Sequence, residues 1–317
     1  MASETETESV KSVALIVGVT GIVGFSLAEA MRKPTAPGGP WRIYGAARRE
    51  RPEWFPSSLL DGFIQLDALD RDDTVAKLSP IAHRVTHLFW VAVSIMTGTK
   101  HYMGPIGDPK YAGKLGSVDA PWREDTPRRH FPNFYYALED IVALEKFLHL
   151  VCRYEGSSPF RFPGTRYAWE HFCDASDAGL LADQQLWVAT TDAAKNQAFN
   201  CTNGDVFAWK SFWRVVAEAL KVEFVDSYEE GFDLVEAMKE KGPVWDAIVK
   251  EHGLFETKME ELLTCFRAAS IVLKFGFQHV CSMNKSREFG FLASVDTLKS
   301  IPVWIERMRE MNLIPRR

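Results

Sequence analysis

Residues 13–24 read Val-Ala-Leu-Ile-Val-Gly-Val-Thr-Gly-Ile-Val-Gly, an apolar run that meets glycines at Gly18, Gly21 and Gly24 and then passes into a helical pattern. That order of residues fits a strand, a tight turn and a helix. In such a unit the first glycine permits the turn, the second lets the backbone approach a pyrophosphate, and the third lets helix and strand pack closely. The N–H groups at the helix start then face the anion. The same triad also occurs as a Gly-rich turn in other α/β proteins. Here a helix pattern from Ile22 to Met31 follows it, and a second apolar strand, Trp41 to Ala47, stands at the distance that completes a βαβ unit. The dinucleotide-phosphate reading therefore takes Gly18, Thr20, Gly21, Ile22, Val23 and Gly24 as the cofactor-binding turn.

The end of the second strand chooses the cofactor. A site for NAD usually carries Asp or Glu there to bind the ribose 2′-hydroxyl, but this chain has Arg48 and Arg49, whose guanidinium forks suit a 2′-phosphate. NADPH is therefore expected over NADH. The competing explanation is a solvated basic turn, since Arg51 follows. Asp67, with Ala68 after it, closes a third strand from Phe63 to Leu66 and sits where such folds commonly touch the adenine.

Composition excludes several other classes. The chain has 317 residues, 46% hydrophobic and 25% charged, enough for one large or two modest cores. Its net charge is −5, and no basic face is evident, which argues against nucleic acid as a partner. Residues 1–10 are polar and acidic, without the basic start and apolar core of a signal peptide. Lys274 interrupts the longest apolar candidate, Ala268 to Phe277, so no membrane span is expected. A cytoplasmic protein follows as the expectation. Its cysteines (Cys152, Cys173, Cys201, Cys265, Cys281) form no C-x-x-C pair and predict reduced thiols with no metal site. His83 and His87 have i,i+4 spacing, but they flank the entrance to a strand, and two polar residues at a strand start explain them better than a zinc pair.

From Val13 to Val93 the pattern is strand, helix, strand, strand, a short helix from Asp70 to Leu78, and a strand from Val85, as expected of a doubly wound parallel sheet. Loop residues dominate from Gly98 to Pro132. A helix is expected from about Phe134 to Leu150, with Leu138, Ile141, Val142, Leu144 and Leu148 as its apolar stripe. Beyond Gly156 the pattern is mostly helical: Ala178 to Thr190, Val206 to Leu220, Leu234 to Glu240, Pro243 to Glu251, Lys258 to Leu273 and Ile301 to Met311. Ala198 to Cys201 reads as a short strand. The organisation expected is a disordered start (1–10), an α/β Rossmann-type NADP-binding domain (11–150) and a mostly helical substrate lobe (151–317). Trp169, Trp187, Trp209, Trp213, Trp245 and Trp304 enrich that lobe and read mainly as core.

Reduction at a nicotinamide needs an acid or an oxyanion binder nearby, and the common Tyr-x-x-x-Lys layout is absent. Two other pieces stand out, Thr97-Gly98-Thr99-Lys100-His101-Tyr102 and Asn133-Phe134-Tyr135-Tyr136. Together with Gly18 to Gly24, Ala47-Arg48-Arg49, Ala194 to Asn200 and Ser282 to Ser286, they span nearly the whole chain. On these motifs the sequence resembles the progesterone 5β-reductase/iridoid synthase family of plants, an atypical branch of the extended short-chain dehydrogenases. The resemblance implies NADPH-dependent 1,4-reduction of an enone or enal, either a 3-oxo-Δ4-steroid or an 8-oxogeranial-type monoterpenoid. It implies that Tyr135 is the catalytic tyrosine, that Lys100 is its companion lysine, and that Ala92, Val93 and Tyr135 join the cofactor-binding set. A small-molecule substrate is the partner expected, and a homodimer is left open.

The chain also departs from that family. There a helix and a further strand separate the fourth strand from the Thr-Gly-x-Lys loop, whereas here Leu88 to Val93 runs through Ser94-Ile95-Met96 straight into Thr97. Three residues cannot host a parallel crossover, which needs a dozen or more. A second strand-bearing piece is absent between the Tyr135 helix and Val151 to Gly156. Met96 replaces the family's Gln, and Ala92-Val93 its Thr-Trp. Either the gene or splice form has lost exons, or the chain is a divergent member whose sheet is reduced in strand number. Two alternatives stand beside the reductase: a catalytically impaired NADP-binding member and, ranked last, a sugar-nucleotide epimerase or dehydratase.

Overall fold

A computed structural model describes residues 12–68, 70–90 and 160–316. Element labels below follow the chain order of those residues. The expected disordered start, the loop 98–132 and the Tyr135 helix lie outside them.

The described chain divides into two units. The first comprises residues 12–90, 178–201 and 286–293. Its centre is a four-stranded parallel sheet in the order β3-β2-β1-β4. The strands are β1 (Ser12–Val17), β2 (Trp41–Ala47), β3 (Gly62–Gln65) and β4 (His87–Trp90). This order is one half of a Rossmann sheet, and its mostly apolar β1 and β2 have the burial of strands covered on both faces. Helix α1 (Ile22–Arg32) follows the glycine turn and α2 (Arg71–Ala82) joins β3 to β4. Asp70 caps α2 by accepting from the N–H groups of Asp72 and Asp73. The expected β2 is reproduced to the residue. The helix expected over Asp70 to Leu78 runs on to Ala82, passing through Pro80. Among the described residues β4 lies at one end of the sheet, with Leu88 57% exposed.

Two segments expected in the helical lobe fall instead with the sheet. Helix α4 (Ala178–Thr190) packs on α1, and small residues on both, Ser26, Ala30 and Ala182, are buried. Gln184 donates to the Asn200 carbonyl at 2.9 Å and to Ser286 Oγ at 3.1 Å, and Ser286 donates to the same carbonyl. Residues 198–201 consequently form no strand, correcting that expectation: side chains of α4 and of residue 286 take the acceptor that a neighbouring strand would need.

The second unit, residues 160–177, 202–285 and 294–316, is helical around an aromatic core. It holds α3 (Arg166–Glu170), the short antiparallel pair β5 (Phe172–Cys173) and β6 (Phe207–Ala208), and α5 (Trp209–Leu220). Then come α6 (Leu234–Met238), α7 (Gly242–His252), α8 (Met259–Leu273), α9 (Asn284–Glu288), which bridges the two units in sequence, and α10 (Thr297–Glu310). On α5, residues Trp209, Phe212, Trp213, Val216, Ala217 and Leu220 recur at helical spacing and all are buried. Trp169, Trp209, Trp213 and Trp245 are core, as expected, while Trp187 and Trp304 are half-buried. Three chain segments cross backbone to backbone: a Cβ on Gly231 would stand 2.3 Å from the Gly164 carbonyl oxygen and 2.6 Å from that of Pro163, and a Cβ on Gly164 would stand 2.3 Å from the Leu273 carbonyl oxygen.

That crossing gives a paired expectation. Gly231→Ala should destabilise the protein by about 1–3 kcal/mol or more, because backbone cannot move aside as a side-chain tip can. Gly276→Ala, whose Cβ would meet nothing within 4 Å, should stay within about 0.5 kcal/mol of the parent in the same urea titration. A second expectation concerns pH. The His87 ring sits 4.9 Å from that of Trp41, and burial lowers its pKa below the ordinary 6.5. The unfolded chain thus binds more protons in the window between the folded pKa and 6.5, so stability is present above that window and is lost as pH falls through it. His87→Gln should show a shallower fall in melting temperature between pH 7.5 and pH 5, titrations chosen to bracket the roughly neutral range of histidine.

Candidate functional site

All strands of the described sheet are parallel, so their C-terminal ends share one edge. Val17 is in register with Ala46 of β2 and with Trp90 of β4, and Ala47 with Gln65 of β3. The residues that follow these ends are therefore neighbours: the glycine turn after β1, Arg48 and Arg49 after β2, and Asp67 and Ala68 after β3. An open α/β sheet binds its ligand at this edge, where the strand order reverses between β1 and β4.

The turn is built as the glycines require. Gly18 has φ +87°, a conformation that favours glycine. Its N–H and that of Val19 both donate to the Ala46 carbonyl, at 2.8 and 3.2 Å, which ties the turn to β2. A Cβ on Gly24 would lie 2.4 Å from the Gly18 carbonyl oxygen and 2.7 Å from Val19 Cα, so only glycine lets α1 start this close to β1. Gly21 is the N-cap of α1, in extended backbone, and supplies no side-chain acceptor. The first-turn N–H groups of Ile22, Val23 and Gly24 thus lie at an uncapped helix start, the arrangement that receives a phosphate. Thr20 and Ile22 are half-buried, Val23 is buried.

Arg48 and Arg49 are exposed directly after β2, and the Arg48 carbonyl accepts from Gln65 Nε2 at 3.1 Å. Asp67 is exposed after β3. Its N–H donates to Asp73 at 2.9 Å, and its carbonyl accepts from the Asp70 N–H at 2.9 Å. The ion pair with Lys77, at 2.8 Å, and that Asp67 N–H hold the Asp73 carboxyl below its ordinary range. Sequence reasoning overlooked Gly45 in β2, where a Cβ would strike Val19 Cγ1 at 2.7 Å. A glycine interrupting a β-branched and aromatic strand is the signal that marks such a close approach.

These features fit a dinucleotide phosphate: a turn whose glycines are sterically required, an uncapped helix start, and two arginines at the next strand end. Ala92, Val93, Lys100 and Tyr135 lie outside the described residues. His83 is the C-cap of α2, and the His87 ring accepts or donates with Thr86 Oγ1 at 2.8 Å, so each has a local structural place. Cys173 is buried, and burial followed by the charge of Asp174 raises its pKa, keeping the thiol protonated. Among the described residues Cys173, Cys201 and Cys281 form no disulfide, no group of side chains has the composition of a metal site, and no helix is long and apolar enough to cross a membrane.

No family model matches the sequence. Two solved structures share the fold: the terminal R domain of the myxalamid biosynthetic pathway and an epimerase from Methanothermobacter thermautotrophicus. Each aligns with TM-score 0.51 at 11% identity, the first covering 99% of this chain and 96% of that one, the second 96% and 95%. Curated relatives are much nearer in sequence. An (S)-8-oxocitronellyl enol synthase of Camptotheca acuminata is 39% identical over 96% of this chain and 94% of its own length. A 3-oxo-Delta(4,5)-steroid 5-beta-reductase of Arabidopsis thaliana is 38% identical over 98% and 95%, and an (S)-8-oxocitronellyl enol synthase of Catharanthus roseus 36% over 97% and 94%. The first alignment runs over 373 residues but takes in only 96% of a 317-residue chain, so roughly 70 of its positions face gaps here. Such gaps are what two absent internal pieces produce. With relatives of both activities aligned along nearly its entire length, the chain belongs to the progesterone 5β-reductase/iridoid synthase family.

Proposed function

We propose that this protein is an NADPH-dependent reductase of enones or enals, acting in the cytosol on a small hydrophobic substrate. The observation that carries the reading is the shared edge on which the glycine turn, the uncapped start of α1 and the Arg48–Arg49 pair are brought together. The names of the relatives support the substrate class. One names a 3-oxo-Delta(4,5)-steroid, an α,β-unsaturated ketone, as the compound reduced, and the other names an enol as the compound made.

In this reading the turn from Gly18 to Gly24 holds the pyrophosphate, and Arg48 and Arg49 pair with the 2′-phosphate. The bound cofactor supplies a hydride for the β-carbon of the substrate. The Tyr135 hydroxyl donates a hydrogen bond to the substrate's carbonyl oxygen and stabilises the enolate as it forms. The Lys100 ammonium favours the same charge and orients the tyrosine.

Two experiments test this. Replacing both Arg48 and Arg49 by Ala should weaken NADPH binding by about 2–4 kcal/mol, the size of two charge-assisted contacts, and leave NADH nearly unchanged in a calorimetric titration. Equal losses for both cofactors would remove the 2′-phosphate assignment. For the chemistry, Tyr135→Phe should slow enone reduction about a hundredfold or more with NADPH affinity within a factor of a few, because an oxyanion contact acts on the transition state. Tyr136→Phe should be much milder. NADPH absorbance would be followed with progesterone, 8-oxogeranial and cyclohexenone, in this chain and in one with family-like segments inserted after Val93 and after Leu148. Activity in neither, or a Tyr135→Phe variant as fast as its parent, would sink the mechanism.

A further inference from the structure

The segment that carries Arg48 and Arg49 is anchored in an unusual way. After the two exposed arginines and Glu50, the chain makes a turn in which the Phe55 N–H donates to the Pro52 carbonyl at 3.0 Å and Arg51 donates through Nη1 to the Phe55 carbonyl. The turn presents two consecutive aromatic rings to one residue of α1. Phe55 meets Phe25 edge-to-face at 5.5 Å and 78°, and Trp54 meets the same ring at 5.8 Å and 70°. Trp54 and Phe55 are themselves 5.8 Å apart. Phe25 is 4% exposed, and Phe55 has no exposed surface although its loop is, Trp54 apart, made of charged residues and prolines.

Phe25 is not an arbitrary attachment point. Its N–H makes the first hydrogen bond of α1, to the Gly21 carbonyl at 2.8 Å, so it belongs to the turn of helix that begins at the phosphate-facing end. The loop is also tied further along the same helix, where Arg32 Nε donates to the Leu59 carbonyl at 3.0 Å. Edge-to-face packing fixes both distance and angle between rings, unlike aliphatic contact, which tolerates sliding.

We infer that Trp54 and Phe55 are positioning residues for cofactor selection: clamped on Phe25, they set the spacing between the helix start that holds the pyrophosphate and the arginines that read the 2′-phosphate. The inference rests on the NADPH reading above. Both anionic groups are carried on one ribose, which limits how far apart they can stand, so the two sites must be held at a matching separation. Phe55 supplies that separation through packing, while the guanidinium groups supply the charge. Loss of the clamp should therefore act on the phosphorylated cofactor and spare the other.

The test is calorimetric binding of NADPH, NADH and 2′,5′-ADP to the full chain, with folding followed by circular dichroism. Phe55→Ala should weaken NADPH and 2′,5′-ADP about tenfold or more, since a displacement near 1 Å is enough to lose well-aligned contacts, and should change NADH by no more than about threefold. Phe55→Leu, which refills the volume, should recover most of the loss. Trp54→Ala, at a half-buried position, should show the same selectivity to a smaller degree and serves if Phe55→Ala does not fold. Equal weakening of both cofactors, or a folded Phe55→Ala or Trp54→Ala protein with the parent's NADPH-to-NADH ratio, would overturn the inference. If the double arginine variant loses selectivity while these do not, only the clamp falls. If the parent chain itself fails to prefer NADPH, the cofactor reading falls and the clamp with it.

Discussion

Everything at the candidate site depends on how closely α1 is allowed to begin against β1. With a Cβ on Gly24 only 2.4 Å from the Gly18 carbonyl oxygen, any side chain there would push the helix start off the strand end. The displaced helix would carry its uncapped N–H groups and Phe25 with it. The first would leave the sheet edge, and the second would no longer meet Trp54 and Phe55. The turn is braced from the far side by β2, where Ala46 accepts two backbone bonds and Gly45 leaves room for Val19. Glycine turn, strand spacing and the loop after β2 thus share one steric condition, met by residues that have no side chain.

The second unit solves a different problem by different means. Its chain is mostly short helices, several too short to be stable alone, so their persistence depends on what they bury. Aromatic rings supply that burial: Phe160 stacks on Trp213 at 5.0 Å, and Phe162, Trp169 and Trp209 close around them. Trp245, 1% exposed, has its indole N–H bonded to the Thr257 carbonyl at 3.0 Å, so burial leaves no donor without a partner. Side-chain hydrogen bonds also tie α10 to the segments before it. Asp177 accepts from Ser300 and from Trp304 Nε1, while Asn203 and Asp205 hold Thr297 at the start of α10.

Much of this was legible in the sequence because it is local. A glycine spacing, an apolar strand and a helical stripe are written in consecutive residues, so β2 and α4 were bounded to the residue and α5, α6, α7, α8 and α10 to within a few, while the five-residue α3 and α9 are too short to leave such a stripe. The place of Arg48 and Arg49 was legible for the same reason: they follow the last residue of β2 directly. Residues 198–201 misled because their apolar character says nothing about which acceptor they meet, and the partners that claim Asn200 lie at Gln184 and Ser286. Trp54 and Phe55 went unremarked because aromatic rings inside a charged loop show no periodicity.

By itself the sequence determined the βαβ start, the position of the arginines beside it, the helical character of the second half and the family resemblance, all properties of residue order. The tertiary structure alone decided that residues 178–201 and 286–293 join the sheet rather than the helical unit. It alone showed that Gly45, Gly164 and Gly231 are required by close approach, and that Phe25 of α1 meets the rings of Trp54 and Phe55 in the loop after β2. The physical reason is the range of the interactions. Hydrogen-bond ladders and amphipathic stripes repeat along the chain and leave a pattern there, whereas a backbone crossing or a three-ring contact forms between residues that only folding brings together.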